Sequence, residues 1–102
     1  MEGPVKHYIM IETNVTNPAW INDYLRKVSP MVERYGGKYL TRTAKVEVLE
    51  GGDAPPQFAL LVEFPTKADL MAFYNSEEYQ PFKQARQAGA ETRMLVVAAE
   101  GI

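Results

Sequence analysis

Eight side chains in this sequence have the chemistry needed to bind or transform a small organic molecule. They are one histidine, two arginines, one glutamate and four tyrosines, at His7, Arg42, Arg86, Glu63, Tyr24, Tyr39, Tyr74 and Tyr79. His7 is the only histidine, and so the only side chain that titrates near neutral pH without a perturbed pKa. We identify His7 and Arg42 as candidate catalytic residues and the other six as candidate substrate-binding residues.

The tyrosines and arginines are the main argument for a ligand site. Phenol hydroxyls and a guanidinium in an apolar cleft suit an aromatic or carboxylate-bearing molecule. The same groups stabilise the negative charge of a developing enolate. The alternative is an aromatic core whose hydroxyls are satisfied internally, and the sequence leaves both interpretations open.

Other kinds of site lack the residues that they need. The chain has no cysteine, which excludes disulfides, thiol catalysis and thiolate metal ligands and is consistent with a reducing cytoplasm. A single histidine excludes a histidine-rich metal site. The sequence contains neither a glycine-rich phosphate loop nor a serine nucleophile motif. We therefore expect no metal and no cofactor.

Composition limits the domain organisation and the partners. A chain of 102 residues with 46% hydrophobic content suits one domain, which we take as residues 1–102. The net charge of −2 offers no basic surface to nucleic acid. No apolar run approaches the roughly 20 residues of a membrane span, and the N-terminus lacks a signal-peptide pattern. We expect a cytoplasmic protein with neither nucleic-acid nor membrane partners.

Alternating and β-branched residues predict four strands, at Lys6–Val15, Lys38–Ala44, Gln57–Phe64 and Glu91–Ala99. In the second strand, a period of two places Arg42 on a face with Leu40 and Ala44, away from Tyr39. An arginine among apolar neighbours needs a carboxylate or a ligand as partner, and Glu63 on the next strand is the candidate. We expect Lys45–Glu50 to continue as a short strand or ribbon, before a loop at residues 51–56.

Caps and apolar stripes predict three helices. The first begins at Asn17-Pro18, with Asn17 as its N-cap, and ends at Gly36-Gly37. A capping box of Thr66 and Asp69 starts the second. Ser76 is the predicted cap of the third, which ends at Gly89 and places Tyr79, Phe82 and Arg86 on one face.

The order of these elements predicts an α+β fold. It is the β-α-β-β-α-β pattern of a ferredoxin-like antiparallel sheet with helices on one face. The other sheet face is also apolar, and a chain of this length has no further element to cover it. We therefore expect a homodimer in which a second copy covers that face.

Several segments together resemble the bacterial domain-of-unknown-function family 1330. They span nearly the whole chain: Val15–Pro18, Tyr24, Tyr35–Arg42, Val46–Gly51, Val62–Pro65, Tyr74–Tyr79 and Arg86. The chain departs from the family pattern in having Asn17 in place of an aspartate and Thr43-Ala44 in place of a glycine pair. Val5–His7 also resembles the start of plant polyketide cyclases, whose first-strand histidine corresponds to His7.

The resemblance implies a dimeric α+β barrel, and it does not imply one reaction. The wider superfamily includes cofactor-free monooxygenases, polyketide cyclases, lactone isomerases and haem enzymes, so the fold alone does not carry a chemistry. Two hypotheses follow from the residues. The protein is a small-molecule-binding protein or cofactor-independent enzyme with a pocket between sheet and helices. Alternatively, it is a structural or accessory dimer with a filled core.

Overall fold

The computed structural model describes residues 5–52 and 54–101. Its strands are β1 (His7–Val15), β2 (Lys38–Thr43), β3 (Phe58–Phe64) and β4 (Ala90–Ala98). Its helices are a short 3-10 turn (Pro18–Trp20) that leads into α1 (Ile21–Arg34), then α2 (Lys67–Tyr74) and α3 (Gln80–Gly89). The strands form one sheet in the order β2-β3-β1-β4, and each neighbouring pair is antiparallel. The predicted ferredoxin-like architecture is confirmed.

The hydrophobic core lies between one face of the sheet and the three helices. On β1, Ile9 and Thr13 are buried while the intervening Met10 and Glu12 are exposed, as the period of two requires. The helices and the turn before α3 contribute a cluster of apolar and aromatic side chains to the same core, which are Val28, Met31, Val32, Leu70, Phe73 and Tyr79. A site on this side of the sheet is therefore built from residues of the inner sheet face and of the helices packed on it.

Three of the predicted helix ends have the expected hydrogen bonds. The Asn17 side chain accepts a bond of 3.0 Å from the Ala19 amide, and Thr66 Oγ1 accepts one of 3.1 Å from the Asp69 amide. At the end of α1, Gly36 has φ +86° and the Gly37 amide donates to the Val32 carbonyl at 2.8 Å. This is a Schellman motif, which requires glycine at the left-handed position.

Two local interpretations change. Ser76 does not cap α3: its hydroxyl donates to the Phe73 carbonyl, and a turn separates it from the helix, which begins at Gln80. Pro81 sits in the first turn of α3, where a proline needs no amide partner, and so it determines where the helix begins. Lys45–Glu50 forms an exposed loop and makes no strand pairing.

A β-bulge in β2 overturns the predicted alternation of its side chains. Tyr39 pairs with Val62 and Thr41 pairs with Leu61, so the single residue Leu40 is extra. The bulge reverses the alternation after Tyr39, and Arg42 pairs with Leu60. Because directly paired residues share a face, Tyr39 and Arg42 both lie on the helix side. Placing them on opposite faces was therefore wrong.

The outer face of the sheet is apolar at its centre. Met10 is 45% exposed, and its cross-strand partners Leu61 and Leu95 carry the apolar surface to both sides. Lys6 and Glu63 form an ion pair of 3.4 Å on the same face. We call Met10, Leu61, Leu95 and Val97 the outer patch.

A substitution at Gly37 tests the packing between α1 and β3. A Cβ on Gly37 would lie 2.5 Å from Val32 Cγ1 and 2.8 Å from Phe64, which is fully buried. We expect Gly37→Ala to lower the free energy of unfolding by about 1–3 kcal/mol, the usual cost of an overpacked core. Urea denaturation measures this change. Gly101→Ala is the control, because a Cβ there meets no atom within 4 Å. Equal stability of the two variants would contradict this packing.

Candidate functional site

A cavity of about 280 Å³ lies between the sheet and α1. Its walls are apolar apart from two arginines and the hydroxyls of one threonine and one tyrosine. The lining residues are Ile11, Thr13, Val15, Trp20, Ile21, Tyr24, Leu25, Arg42, Ala44, Phe58, Leu60, Arg86 and Met94. The volume is just below the range of about 300–1,000 Å³ that is typical of ligand sites.

Trp20 is held at this cavity by the end of α3. Its indole Nε1 donates a hydrogen bond of 3.1 Å to the Gly89 carbonyl. The same carbonyl accepts bonds from the amides of Thr16 and Asn17, at 2.9 and 3.0 Å. A Cβ on Gly89 would collide with the Trp20 ring, so glycine is required for this close approach. Sequence reasoning took Trp20 only as part of the apolar stripe of α1.

Arg42 lines the cavity because of the bulge. Its guanidinium carbon is 5.4 Å from the centre of the Tyr39 ring, within cation–π range, and the residue is exposed to solvent. Among the described residues, Arg42 makes no ion pair. The predicted ion pair with Glu63 is wrong. In the strand register Glu63 lies opposite Tyr8 of β1 and Lys38 of β2, so its side chain is on the outer face of the sheet.

His7 lies away from the cavity. It stands at the start of β1, and its Nδ1 is 2.9 Å from the carbonyl oxygen of Val5. The part of the chain that the structure describes does not place His7 or Glu63 among the residues lining this cavity. Of the eight predicted site residues, Tyr24, Arg42 and Arg86 line this cavity. Tyr39, Tyr74 and Tyr79 line a smaller space instead, and the described lining of neither includes His7 or Glu63.

Tyr24 and Tyr79 form the polar centre of the aromatic core. Their hydroxyl oxygens are 2.6 Å apart, and Tyr79 is 1% exposed. Burial raises the pKa of the Tyr24 phenol, and the neighbouring Tyr79 raises it further. Burial likewise raises the pKa of Tyr39. The phenols of Tyr24 and Tyr39 therefore remain neutral at physiological pH.

Tyr39 and Tyr74 lie behind this pair. With Tyr24 and Tyr79 they line a small internal space of about 40 Å³. Lys83 Nζ lies 4.4 Å from the centre of the Tyr74 ring. Ile11, Tyr24, Leu60 and Met94 line both this space and the larger cavity, and Tyr24 brings the polar group to the wall between them.

Arg86 is the buried charge of the site. The residue is 6% exposed, and its Nε has no hydrogen-bond partner among the described residues. Burial opposes the charged form of Arg86, but the adjacent Tyr79 and Tyr24 outweigh it and raise its pKa, so the guanidinium remains a cation. The sequence predicted that Tyr79 and Arg86 share one helix face, and the structure shows in addition that Tyr79 interacts with the Arg86 side chain.

Sequence reasoning missed a polar pair on the sheet side. Thr13 Oγ1 and Thr92 Oγ1 are 2.8 Å apart across β1 and β4, and Thr13 lines the cavity. Thr13 shares a strand face with Ile9 and Ile11, and that alternation could have identified it as an inward polar residue.

No cluster of three or more potential metal ligands occurs within residues 5–52 and 54–101. None of the helices described is both long and apolar enough to cross a membrane.

The buried Tyr24 phenol predicts a loss of stability at alkaline pH. Its pKa is higher in the folded protein than in the unfolded chain, so only the unfolded state releases this proton above about pH 10. Stability is fully present below that pH and falls above it, by up to about 1.4 kcal/mol per pH unit for each such group. Denaturant unfolding between pH 9 and pH 11 should show a shallower decline in Tyr24→Phe. Identical slopes would contradict the burial of this phenol.

Solved structures of other proteins share this fold. A protein of unknown function from Rhodopseudomonas palustris, RPA0582, superposes with a TM-score of 0.82 at 17% identity, over 98% of this chain and 86% of that chain. SnoaB, a cofactor-independent oxygenase from Streptomyces nogalater, gives a TM-score of 0.67 at 12% identity, over 96% of each chain. A dimeric ferredoxin-like protein of unknown function from Thermobifida fusca gives 0.57 at 10% identity, over 96% of this chain and 94% of that chain.

At these identities the similarities establish the fold alone. No curated protein matches the sequence. The family described as domain of unknown function (DUF1330) matches residues 6–100, which is almost the entire chain. This protein therefore belongs to the DUF1330 family.

Proposed function

We propose that this protein binds a small, largely apolar organic molecule in the cavity between the sheet and α1, and that it acts as a homodimer. The observation that carries the proposal is an apolar cavity of about 280 Å³ beside a buried guanidinium. A close-packed interior contains few voids larger than a water molecule. Space of this size beside an unsatisfied polar group supports a ligand site more than a filled core.

The residues that line the cavity indicate the chemical class of the ligand. Trp20, Phe58 and Leu60 provide flat and branched apolar surface, which favours an aromatic or cyclic molecule. Arg42 and Arg86 are the two charged residues among those that line it. Tyr24 brings a hydroxyl to the same wall. A few polar groups in an otherwise apolar concave surface are typical of small-molecule sites.

A cofactor-independent enzyme of cyclase, isomerase or monooxygenase type is the second candidate. It is supported by the fold shared with SnoaB and by two cations that would stabilise a developing enolate. The described lining includes no histidine, aspartate or glutamate. A reaction here would therefore depend on Arg42 and Arg86 for electrostatic stabilisation, with the proton leaving to solvent or to another part of the substrate.

The homodimer is proposed from the outer patch. An apolar surface on the solvent side of a sheet is stabilised when a second copy buries it. The similar fold of the dimeric Thermobifida fusca protein supports this arrangement. Packing two sheets face to face would leave the helix-side cavity of each subunit free for its ligand.

Filling the cavity tests the ligand proposal. Ala44 lines the cavity, and we expect Ala44→Trp to fold but to lose stabilisation by ligand. A ligand at a hundredfold its dissociation constant stabilises by about 2.7 kcal/mol, which is several degrees of melting temperature in a domain of this size. The measurement is a thermal-shift screen with small aromatic acids, phenols and polyketide-like lactones.

Ala72→Trp is the matched control, because Ala72 is exposed on α2 and lies outside the cavity lining. It should retain every shift seen with the unmodified protein. Absence of any shift in the unmodified protein, or equal shifts in both variants, would reject the cavity as a ligand site and favour the accessory dimer.

Charging the outer patch tests the homodimer. Met10→Glu would bury a carboxylate between the two sheets, so we expect it to yield a monomer. Sedimentation velocity measures the mass over a range of concentrations. Ala72→Glu introduces the same charge on an exposed helix position and should leave the dimer intact. A Met10→Glu protein that remains dimeric would show that the outer patch is not the interface.

A further inference from the structure

We propose that Arg86 is the anion-binding residue of this protein, and that its ligand is an amphipathic organic anion. The apolar part of the ligand occupies the cavity beside α1, and its carboxylate or enolate oxygen contacts the Arg86 guanidinium. This inference rests on the proposed function and specifies its ligand class.

Burial without a counter-ion is the first argument. Arg86 is 6% exposed, and the ion pairs within the described residues do not include it. Its Nε–H is buried with no acceptor. A buried charge without a counter-ion is costly, and an unmade hydrogen bond adds to that cost. A bound anion would satisfy the charge and the free N–H together, in the two-pronged geometry that guanidinium and carboxylate share.

The neighbouring phenols cannot replace that anion. The Tyr24 and Tyr79 hydroxyls bond each other at 2.6 Å, and Tyr24 stays protonated because burial raises its pKa. The same hydroxyls stabilise the charged form of Arg86 and raise its pKa. Their mutual bond uses one O–H and leaves the other free to donate. The pair therefore offers an anion a further donor next to Arg86, and it is not a carboxylate counter-ion.

The position of Arg86 between two cavities is the second argument. Arg86 and Met94 line both the apolar cavity and a more open one of about 400 Å³ between α3 and β4. The second cavity is polar, with Gln87 and Thr92 in its lining. An amphipathic molecule fits this arrangement, because its apolar body matches one side of Arg86 and its polar head matches the other.

Arg42 is less suited to anchor the anion. It is exposed at the cavity wall and lies against the Tyr39 ring. Solvent screens an exposed charge, and its pairings contribute little net affinity. Arg42 would attract an anion towards the cavity, whereas Arg86 would hold it away from water.

Matched acid and amide probes test this assignment. The pairs are 3-phenylpropanoate and 3-phenylpropanamide, 1-naphthoate and 1-naphthamide, and indole-3-acetate and indole-3-acetamide. Each pair has the same apolar body and differs in the charge of its head. Isothermal titration at pH 7 should give at least about tenfold tighter binding of the acid, as expected for hydrogen bonds to a charged group.

Variants locate the charge responsible. Arg86→Met keeps the length of the side chain without its charge, and it should abolish the preference for acid over amide. Arg42→Met should reduce acid affinity less than Arg86→Met does. Arg26→Met removes an exposed cation of α1 that lies outside the cavity lining, and it should change nothing. Circular dichroism and melting temperature establish that each variant is folded.

The outcomes separate this inference from the proposed function. Equal binding of acids and amides, or a larger loss of acid affinity in Arg42→Met, would overturn Arg86 as the anion site while leaving the cavity as a binding site. No binding by any probe would reject both. If Arg86→Met does not fold, the acid preference of the unmodified protein, set against that of Arg86→Lys, decides. An unchanged preference in Arg86→Lys would show that the guanidinium fork is not required and would overturn the assignment.

Discussion

A guanidinium buried within an aromatic core is the constraint on which the rest of this structure depends. Arg86 lies beside Tyr79, whose ring centre is 4.4 Å from that of Phe73 and whose hydroxyl bonds Tyr24. These residues come from α1, α2, α3 and the turn before α3, so a single cluster joins all three helices. The hydroxyls of Tyr79 and Tyr24 stabilise the charged form of Arg86 and raise its pKa. They are not a counter-ion, and the absence of one is the basis of the anion site proposed in the adjoining cavity.

The two faces of the sheet have separate roles in the proposed molecule. The inner face carries the core and the cavity, and the outer face carries the outer patch. The bulge at Leu40 bears on both, because it brings Arg42 to the cavity and leaves Thr41 on the outer side. Binding and dimerisation would therefore rest on different residues of the same strands. This separation lets either property be altered by a substitution that leaves the other unchanged.

Local signals in the sequence predict most of the fold. The Asn17 cap, the capping box at Thr66 and the Gly36 turn are each determined by neighbours in the chain, and each has the expected geometry. The bulge was missed because nothing in the alternation of β2 marks an extra residue, and one residue reverses every face that follows. The mistaken pairing of Arg42 and Glu63 followed from that register.

The site was predictable only in part, for a related reason. Helical spacing predicts that Tyr79 and Arg86 share one face, whereas the contact with Tyr24 and the volume of the cavity depend on how α1 and α3 pack over the sheet. The most direct test of the account is methyl NMR of the protein with 1-naphthoate. A ligand in the cavity should give intermolecular nuclear Overhauser effects to the methyls of Ile21, Leu25 and Met94. Effects confined to Met10 and Leu95 on the outer patch, or none at all, would contradict it.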